Sequence, residues 1–550
     1  MDGIFKTCHM LVHLSFYIHI GVIAVNQSVI GTKAMVVSPH YLATAAGARI
    51  LEQGGNAFDA AVAVSACLAV VYPHMTSLGG DSFWLGYHHS EGKVRGYNAS
   101  GRSGCKANIG AYAGLAAIPH RGVGSIVTVP GMVDGWDAVH REYGRLTWAQ
   151  VLAPAIDYAG NGFPMSEDQY ANTVHNEAVL ARALETADIY LPGGQAVKPG
   201  IRFKQPALAG TLRRLAEHGR DEFYKGETAK EIVSFLGRHD GLLTADDFAD
   251  HRGDWVTPVE GSYRGYSLYQ MPPNSQGFSG IMALHILEQF NLRDIEHGSH
   301  DYYQLCVEAL KLSFRDRNNY LSDPAFTNVP LEQLLDKGYA AKLAASIELN
   351  RASSVQSEAL GSDTAYAAVV DEEGNSVSFI QSLYFEFGSG VVAGNTGILL
   401  QNRGSFFSLD PNHVNSLKPA KRTFHTLMPA MACREGKPAV LYGTQGGEGQ
   451  PQTQTAIFTR MIDYGMNPQQ AINEPRWVWG RTWGEPTQEL KIEGRVSDEV
   501  LASLAAAGHL VRKVKDFDGI MGHAHAILRD EQGFLQGGSD PRCDGAAVGW

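Results

Sequence analysis

The chain has 550 residues, 44% of them hydrophobic and 19% charged, with 45 basic against 57 acidic side chains. That length allows one very large domain or several ordinary ones, and the apolar share suffices for a sizeable core. A net charge of −12 argues against nucleic-acid binding, which needs basic surface against phosphate, but leaves a small anionic substrate open, because one buried arginine can hold a carboxylate.

Taken in chain order, Leu11 to Val25 is apolar but contains His13 and His19, with only Lys6 upstream. That is a poor secretory signal and a short membrane span. Residues 1–32 are expected to be an N-terminal extension or a weak signal-like segment before a domain starting near Lys33. The expected location is cytoplasmic, or exported if residues 1–27 act as a signal. No other segment could cross a bilayer, and neither membrane nor nucleic acid is expected as a partner. Tyr41 to Tyr72 is small and apolar, with Gly54-Gly55 as a break, which predicts two helices, the second tightly packed. Ser77 to Tyr87 predicts a glycine turn running into a strand, and Lys93 to Asn98 a strand returning as a hairpin. Residues 131–350 read as mainly helical, with Leu146 to Ala159, Thr211 to His218 and Tyr302 to Asn319 as examples, and Pro272 to Ser275 as a loop. At Thr364 the style changes: two strand-like runs flank a turn at Asp371 to Asn375. Further runs follow at Ile398 to Leu400, Ala439 to Tyr442 and Leu490 to Glu493. Helices and strands in bulk, without regular βαβ alternation, predict a layered α+β architecture.

Six scattered cysteines without a CxxC pair indicate no disulfide scaffold; Cys105 alone lies near a motif of interest. GxSxG, HExxH and GxxxxGK[ST] are all missing. His523 and His525 form an HxH with no third ligand nearby and read as structural. No metal or organic cofactor is expected. Gly361-Ser362-Asp363-Thr364 opens a strand on a threonine. A threonine hydroxyl is a weak nucleophile without a base. Cleavage between Asp363 and Thr364 would give Thr364 a free α-amine, whose ordinary pKa of about 7.7–8.0 suits a general base. Gly446-Gly447, after a strand-like run, could turn backbone N–H groups toward an oxyanion. Arg102, just past another strand, has the fork that suits a carboxylate. Each has an ordinary alternative: a strand-opening threonine, a tight turn, a salt bridge.

Taken together, the order of these pieces resembles the γ-glutamyltransferase family of N-terminal-nucleophile hydrolases, from about Met35 to the C-terminus. The matching stretches include MVVSPHYLATAAGARILEQGGNAFDAAVA, SLGGDSFWL, GLLTADDF, PPNSQGFSG, TAYAAVVDEEGNSVS, FGSGVVAGNTGILLQN, GTQGGEGQPQT and SDPRCDGAA. The resemblance implies a four-layer αββα fold and a precursor that cuts itself before Thr364. Residues 33–363 would form a large subunit and 364–550 a small one, associated as a heterodimer, with a dimer of heterodimers as a further expectation. By motif position Thr364 is implied as nucleophile and base, Ser382 as an assisting hydroxyl, Gly446 and Gly447 as the oxyanion hole, and Arg102 as the clamp on a substrate carboxylate.

The departures point to the substrate. Where the family grips both ends of an amino acid, this sequence has Tyr384, Arg403, Phe406, His425 and Thr426. Phe406 replaces the aspartate that would bind an α-ammonium, and Arg403 would repel that ammonium. Ala365 follows the nucleophile where the family usually has a second threonine. The sequence therefore looks more like the YwrD-like and oxamate-amidohydrolase branch, with glutaryl-type cephalosporin acylases as further relatives. The expected activity is an amidohydrolase using Thr364 on a small carboxylate-bearing amide, through an acyl-enzyme. The alternatives are a true γ-glutamyl transferase or hydrolase acting on glutathione, with its ammonium site rebuilt from Asp81 or Glu386, and a non-catalytic ligand-binding relative.

Overall fold

The computed structural model describes residues 26–355, 363–480 and 487–550. The signal-like stretch, and the linker up to Ser362, lie outside the described residues. At Gly54 the backbone turns through φ +93°, a conformation that glycine adopts without strain. Helix α1 (Tyr41–Glu52) ends before it and helix α2 (Ala57–Val71) starts after it, as predicted. Asn56 caps α2 by accepting from the N–H groups of Phe58 and Asp59, and Asp59 accepts back from Asn56 N–H. Every residue of α2 is buried, which is why its sequence is apolar all round rather than amphipathic.

Two seven-stranded sheets form the centre. Their strands are β1 (Val29–Gly31), β2 (Met35–Ser38), β3 (Asp81–His88), β4 (Lys93–Ala99), β5 (Asp254–Val256), β6 (Val259–Tyr263) and β7 (Tyr266–Gln270), followed by β8 (Asp363–Val370), β9 (Ser376–Tyr384), β10 (Ala430–Arg434), β11 (Lys437–Thr444), β12 (Ala524–Arg529), β13 (Leu535–Ser539) and β14 (Ala546–Gly549). One sheet runs β14-β2-β8-β9-β3-β4-β5 and the other β1-β13-β12-β11-β10-β7-β6. The described fold thus includes Val29–Gly31, upstream of Lys33.

Strand alternation builds the layers. On β8, Ala365, Ala367 and Val369 face the core shared with α1 and α2. Tyr366, Ala368 and Val370 face the core between the sheets, against Met431, Leu441 and Ile527. Helices α3 (Met132–Tyr143), α4 (Trp148–Asn161) and α5 (Pro206–His218) join α1 and α2 over the first sheet. Helices α6 (Gly277–Leu287), α7 (His300–Tyr320) and α8 (Gly449–Ile462) cover the second. This is the four-layer αββα arrangement. Among the described residues no helix is long and apolar enough to cross a membrane.

One sequence reading is corrected. Ile398 to Leu400 is no strand; it makes only isolated bridges, Leu400 with Gly79 and Leu399 with Val392. Residues 131–350 are mainly helical, as predicted, and also supply β5, β6 and β7 to the two sheets. Their mixed burial gives no apolar run to read.

Gly443 on β11 sits against the Tyr366 ring of the facing sheet: a Cβ there would lie 2.2 Å from Cδ2. Gly443→Ala is expected to cost about 1–3 kcal/mol through overpacking, read as a lower thermal unfolding midpoint.

Candidate active site

Thr364 opens β8 beside a break in register. Asp363 pairs with Tyr384 on β9, but Ala365 pairs with Gln381. Two residues of β9, Ser382 and Leu383, therefore oppose the single Thr364, an irregularity typical of strands that re-aim a side chain. Thr364 is fully buried, and its Oγ1 accepts from Gln450 Nε2 at 3.3 Å.

Ser382 is buried on β9 and pairs across with Asp81 on β3. Its Oγ accepts the Tyr384 N–H at 2.7 Å. Tyr384 holds φ at +90°, a strained conformation for an aromatic residue that usually signals a functional constraint. Its ring is stacked on Phe385 and lies under the Arg403 guanidinium, 4.1 Å from ring centroid to Cζ.

The second sheet approaches from the other side. Beyond β11, Gly446 and Gly447 turn at φ +125° and +51° into α8. Their carbonyls accept from Gly449 N at 2.6 Å and Gln450 N at 3.2 Å, which ties the turn to the start of α8. The turn is braced from behind. Gln276 Nε2 donates to Gly447 O at 3.0 Å and to Thr426 O at 2.8 Å. Arg317 holds Gln276 Oε1 at 2.8 Å and Glu448 Oε1 at 2.6 Å, all buried. Sequence reasoning missed Gln276 and Arg317 as parts of the site, although Gln276 stands inside PPNSQGFSG.

Arg403 is the unusual group. It is 1% exposed, and none of its three guanidinium nitrogens has a hydrogen-bond partner among the described residues. Burial pulls its pKa down to about 10, opposed by Tyr384 and Asp81, so it stays a cation at neutral pH. Asp81 is the acid whose charge bears on it. Its Oδ1 accepts from Gly101 N, Gly131 N and Gln401 Nε2, and its Oδ2 lies 3.3 Å from His425 Nε2. Burial pushes the Asp81 carboxyl up to about 6, against the pull of the Gly101 N–H, Arg403 and Gln401. His425 Nδ1 accepts the Leu427 N–H at 3.4 Å, which leaves the proton on Nε2, facing Asp81. Burial, with Arg403 adding to it, holds the His425 pKa well below the ordinary value, so the ring is neutral. Phe406 packs edge-on to Tyr384 at 5.3 Å.

The structure thus brings together Thr364, Ser382, Tyr384, Arg403 and His425 on one side, with Gly446, Gly447 and Thr426 on the other. Arg102 is placed differently. Its side chain is 38% exposed, paired with Asp254 at 2.9 Å and donating to Arg252 O at 3.0 Å. Glu386 lies 3.8 Å from Arg121. His523 Nδ1 bonds to Tyr72 OH at 2.9 Å, and His525 Nδ1 to Ser539 Oγ at 3.2 Å; no metal-like cluster occurs among the described residues. Cys105 is exposed, and Cys67, Cys306, Cys433 and Cys543 are free thiols as well.

The sandwich of two sheets between helix layers is the fold of the N-terminal-nucleophile hydrolases, and it holds the buried Thr364 at a bulged strand start. The family described as Gamma-glutamyltranspeptidase matches residues 43–550. The chain belongs to this family and is one of its enzymes. It is 64% identical over 524 residues to the "Glutathione hydrolase-like YwrD proenzyme" of Bacillus subtilis, spanning 95% of this chain and 100% of that protein. It is 41% identical over 530 residues to the "Oxamate amidohydrolase proenzyme" of Klebsiella pneumoniae, spanning 96% and 100%. The crystal structure of cephalosporin acylase from Bacillus halodurans superposes with a TM-score of 0.89 at 36% identity, covering 96% of this chain and 97% of that one.

Proposed function

We propose that the chain cuts itself before Thr364 and then hydrolyses a small amide that carries a carboxylate, of the oxamate or glutaryl type. In the first step Thr364 Oγ attacks the Asp363 carbonyl carbon. The C–N bond breaks, the nitrogen gains the Oγ proton to become the α-amine, and an ester forms on Oγ. Water hydrolyses the ester, leaving the Asp363 carboxylate and a free hydroxyl. In turnover the α-amine takes the Oγ proton, Oγ attacks the substrate amide, and the Gly446 and Gly447 N–H groups stabilise the oxyanion. The amine or ammonia leaves with a proton, and water releases the acid.

The cut pieces stay together by construction. In the first sheet β8 and β9 lie between β2 and β3, which precede the cut, while β14, from after it, lies beside β2. The second sheet is interleaved as well.

The observation that carries the substrate class is Arg403: a buried cation with no hydrogen-bond acceptor among the described residues, over the ring of Tyr384, which pairs with Asp363. A carboxylate fits its fork bidentately. A γ-glutamyl substrate would add an ammonium, and the two acids nearest at hand are engaged, Asp81 by four donors and Glu386 beside Arg121. The test is a panel of oxamate, a glutaryl anilide, its methyl ester and a γ-glutamyl anilide. We expect the free acids lacking an α-ammonium to be turned over at least tenfold faster than the other two. Preference for the γ-glutamyl anilide would replace this reading with the glutathione one.

A further inference from the structure

Gln450 lies in the first turn of α8 and is fully buried. Its Nε2 donates to Thr364 Oγ1 at 3.3 Å. Its other end is unused: among the described residues no donor reaches Oε1. Buried carbonyl oxygens are normally satisfied, so this atom marks a place where a donor is due. The uncut chain offers one peptide N–H on Thr364. Cleavage turns that nitrogen into an amine carrying two or three hydrogens, on the residue Gln450 already touches.

We propose that Gln450 is a positioning residue for the processed nucleophile: Nε2 holds Thr364 Oγ and Oε1 accepts the α-amine exposed by cleavage. This rests on the reading of Thr364 as a self-exposed nucleophile. The two ends of one rigid amide then fix the angle between base and hydroxyl, so the amine lone pair faces the Oγ proton. Oε1 favours the protonated amine, while the N-terminus of α8 disfavours it. The other charged groups nearby are Asp81 and Arg403 beside Tyr384, with neutral His425, and Glu448 neutralised by Arg317.

The test uses the full-length protein as purified and needs no substrate. Intact mass first establishes cleavage before Thr364. Labelling by phenylmethanesulfonyl fluoride is then followed by mass across pH. Thr364 Oγ displaces fluoride from sulfur, and the α-amine takes the hydroxyl proton. We expect Gln450→Met and Gln450→Glu to remain cut and to label about tenfold more slowly or worse. The midpoint of the pH profile should fall in Gln450→Met, which has lost the acceptor. It should rise by about one unit in Gln450→Glu, where a carboxylate faces the ammonium. Should Gln450→Met not fold, Gln450→Glu keeps the shape and carries the test alone. Cut variants whose midpoints match the wild type overturn the role of Gln450 and leave the nucleophile standing. A wild-type chain that is never cut at Thr364, or a cut one that does not label, overturns it as well.

Discussion

Thr364→Ala is expected to purify as one uncut chain with turnover reduced by roughly 10⁴-fold or more, while the wild type yields fragments 1–363 and 364–550. The substitution removes the nucleophile for both steps, self-cleavage and catalysis. It should spare the fold. One hydrogen bond, from Gln450 Nε2, is lost, at a cost of about 1 kcal/mol, and the bulge is fixed by the pairing of Asp363 and Ala365 on either side of it. Circular dichroism should therefore match the wild type, and the thermal unfolding midpoint should fall only slightly. Thr364→Ser keeps hydroxyl and amine together and should still cut and turn over, more slowly. An alanine variant that is still cut before residue 364 would show that the peptide bond yields to something other than Oγ, and the role assigned to Thr364 would fall.

Much of this site was legible in the sequence because its main pieces announce themselves locally. A polar loop opening onto Thr364 and a Gly-Gly after a strand are contiguous signals. So are the α1–α2 break at Gly54 and the β3–β4 hairpin. What sequence could not supply are facts made by approach in space. Nothing local in the sequence says which of Arg102 and Arg403 is satisfied. The fold places Asp254 against Arg102 and leaves Arg403 with no acceptor among the described residues. Gln276, Arg317 and Glu448 come from three distant segments, and their bracing of the Gly447 turn exists only once α6, α7 and α8 pack together. The role of Ile398 to Leu400 was misread for a related reason. An apolar triplet opening on the β-branched Ile398 fits a strand, but its neighbours are the loops around Gly79 and Val392, not a sheet.

Replacing Arg403 should move stability and function in opposite directions. The guanidinium is buried without a hydrogen-bond partner among the described residues, and such a group is destabilising unless compensated. Asp81 supplies part of the compensation through space. Arg403→Met, which keeps length and packing over the Tyr384 ring, is therefore expected to raise stability by about 1 kcal/mol, seen as a higher unfolding midpoint. With a carboxylate-bearing amide the same change deletes a charge-assisted bidentate pair. A loss of about 3 kcal/mol in transition-state binding, or roughly a hundredfold in kcat/KM, follows. Arg403→Lys separates charge from geometry: a point charge in place of the fork should recover only part of the activity. Self-cleavage should be untouched in both variants, because that step binds no external carboxylate. A methionine variant that is less stable would mean Arg403 has a structural partner. One that is equally active would move the carboxylate to Arg102, whose fork would then have to release Asp254.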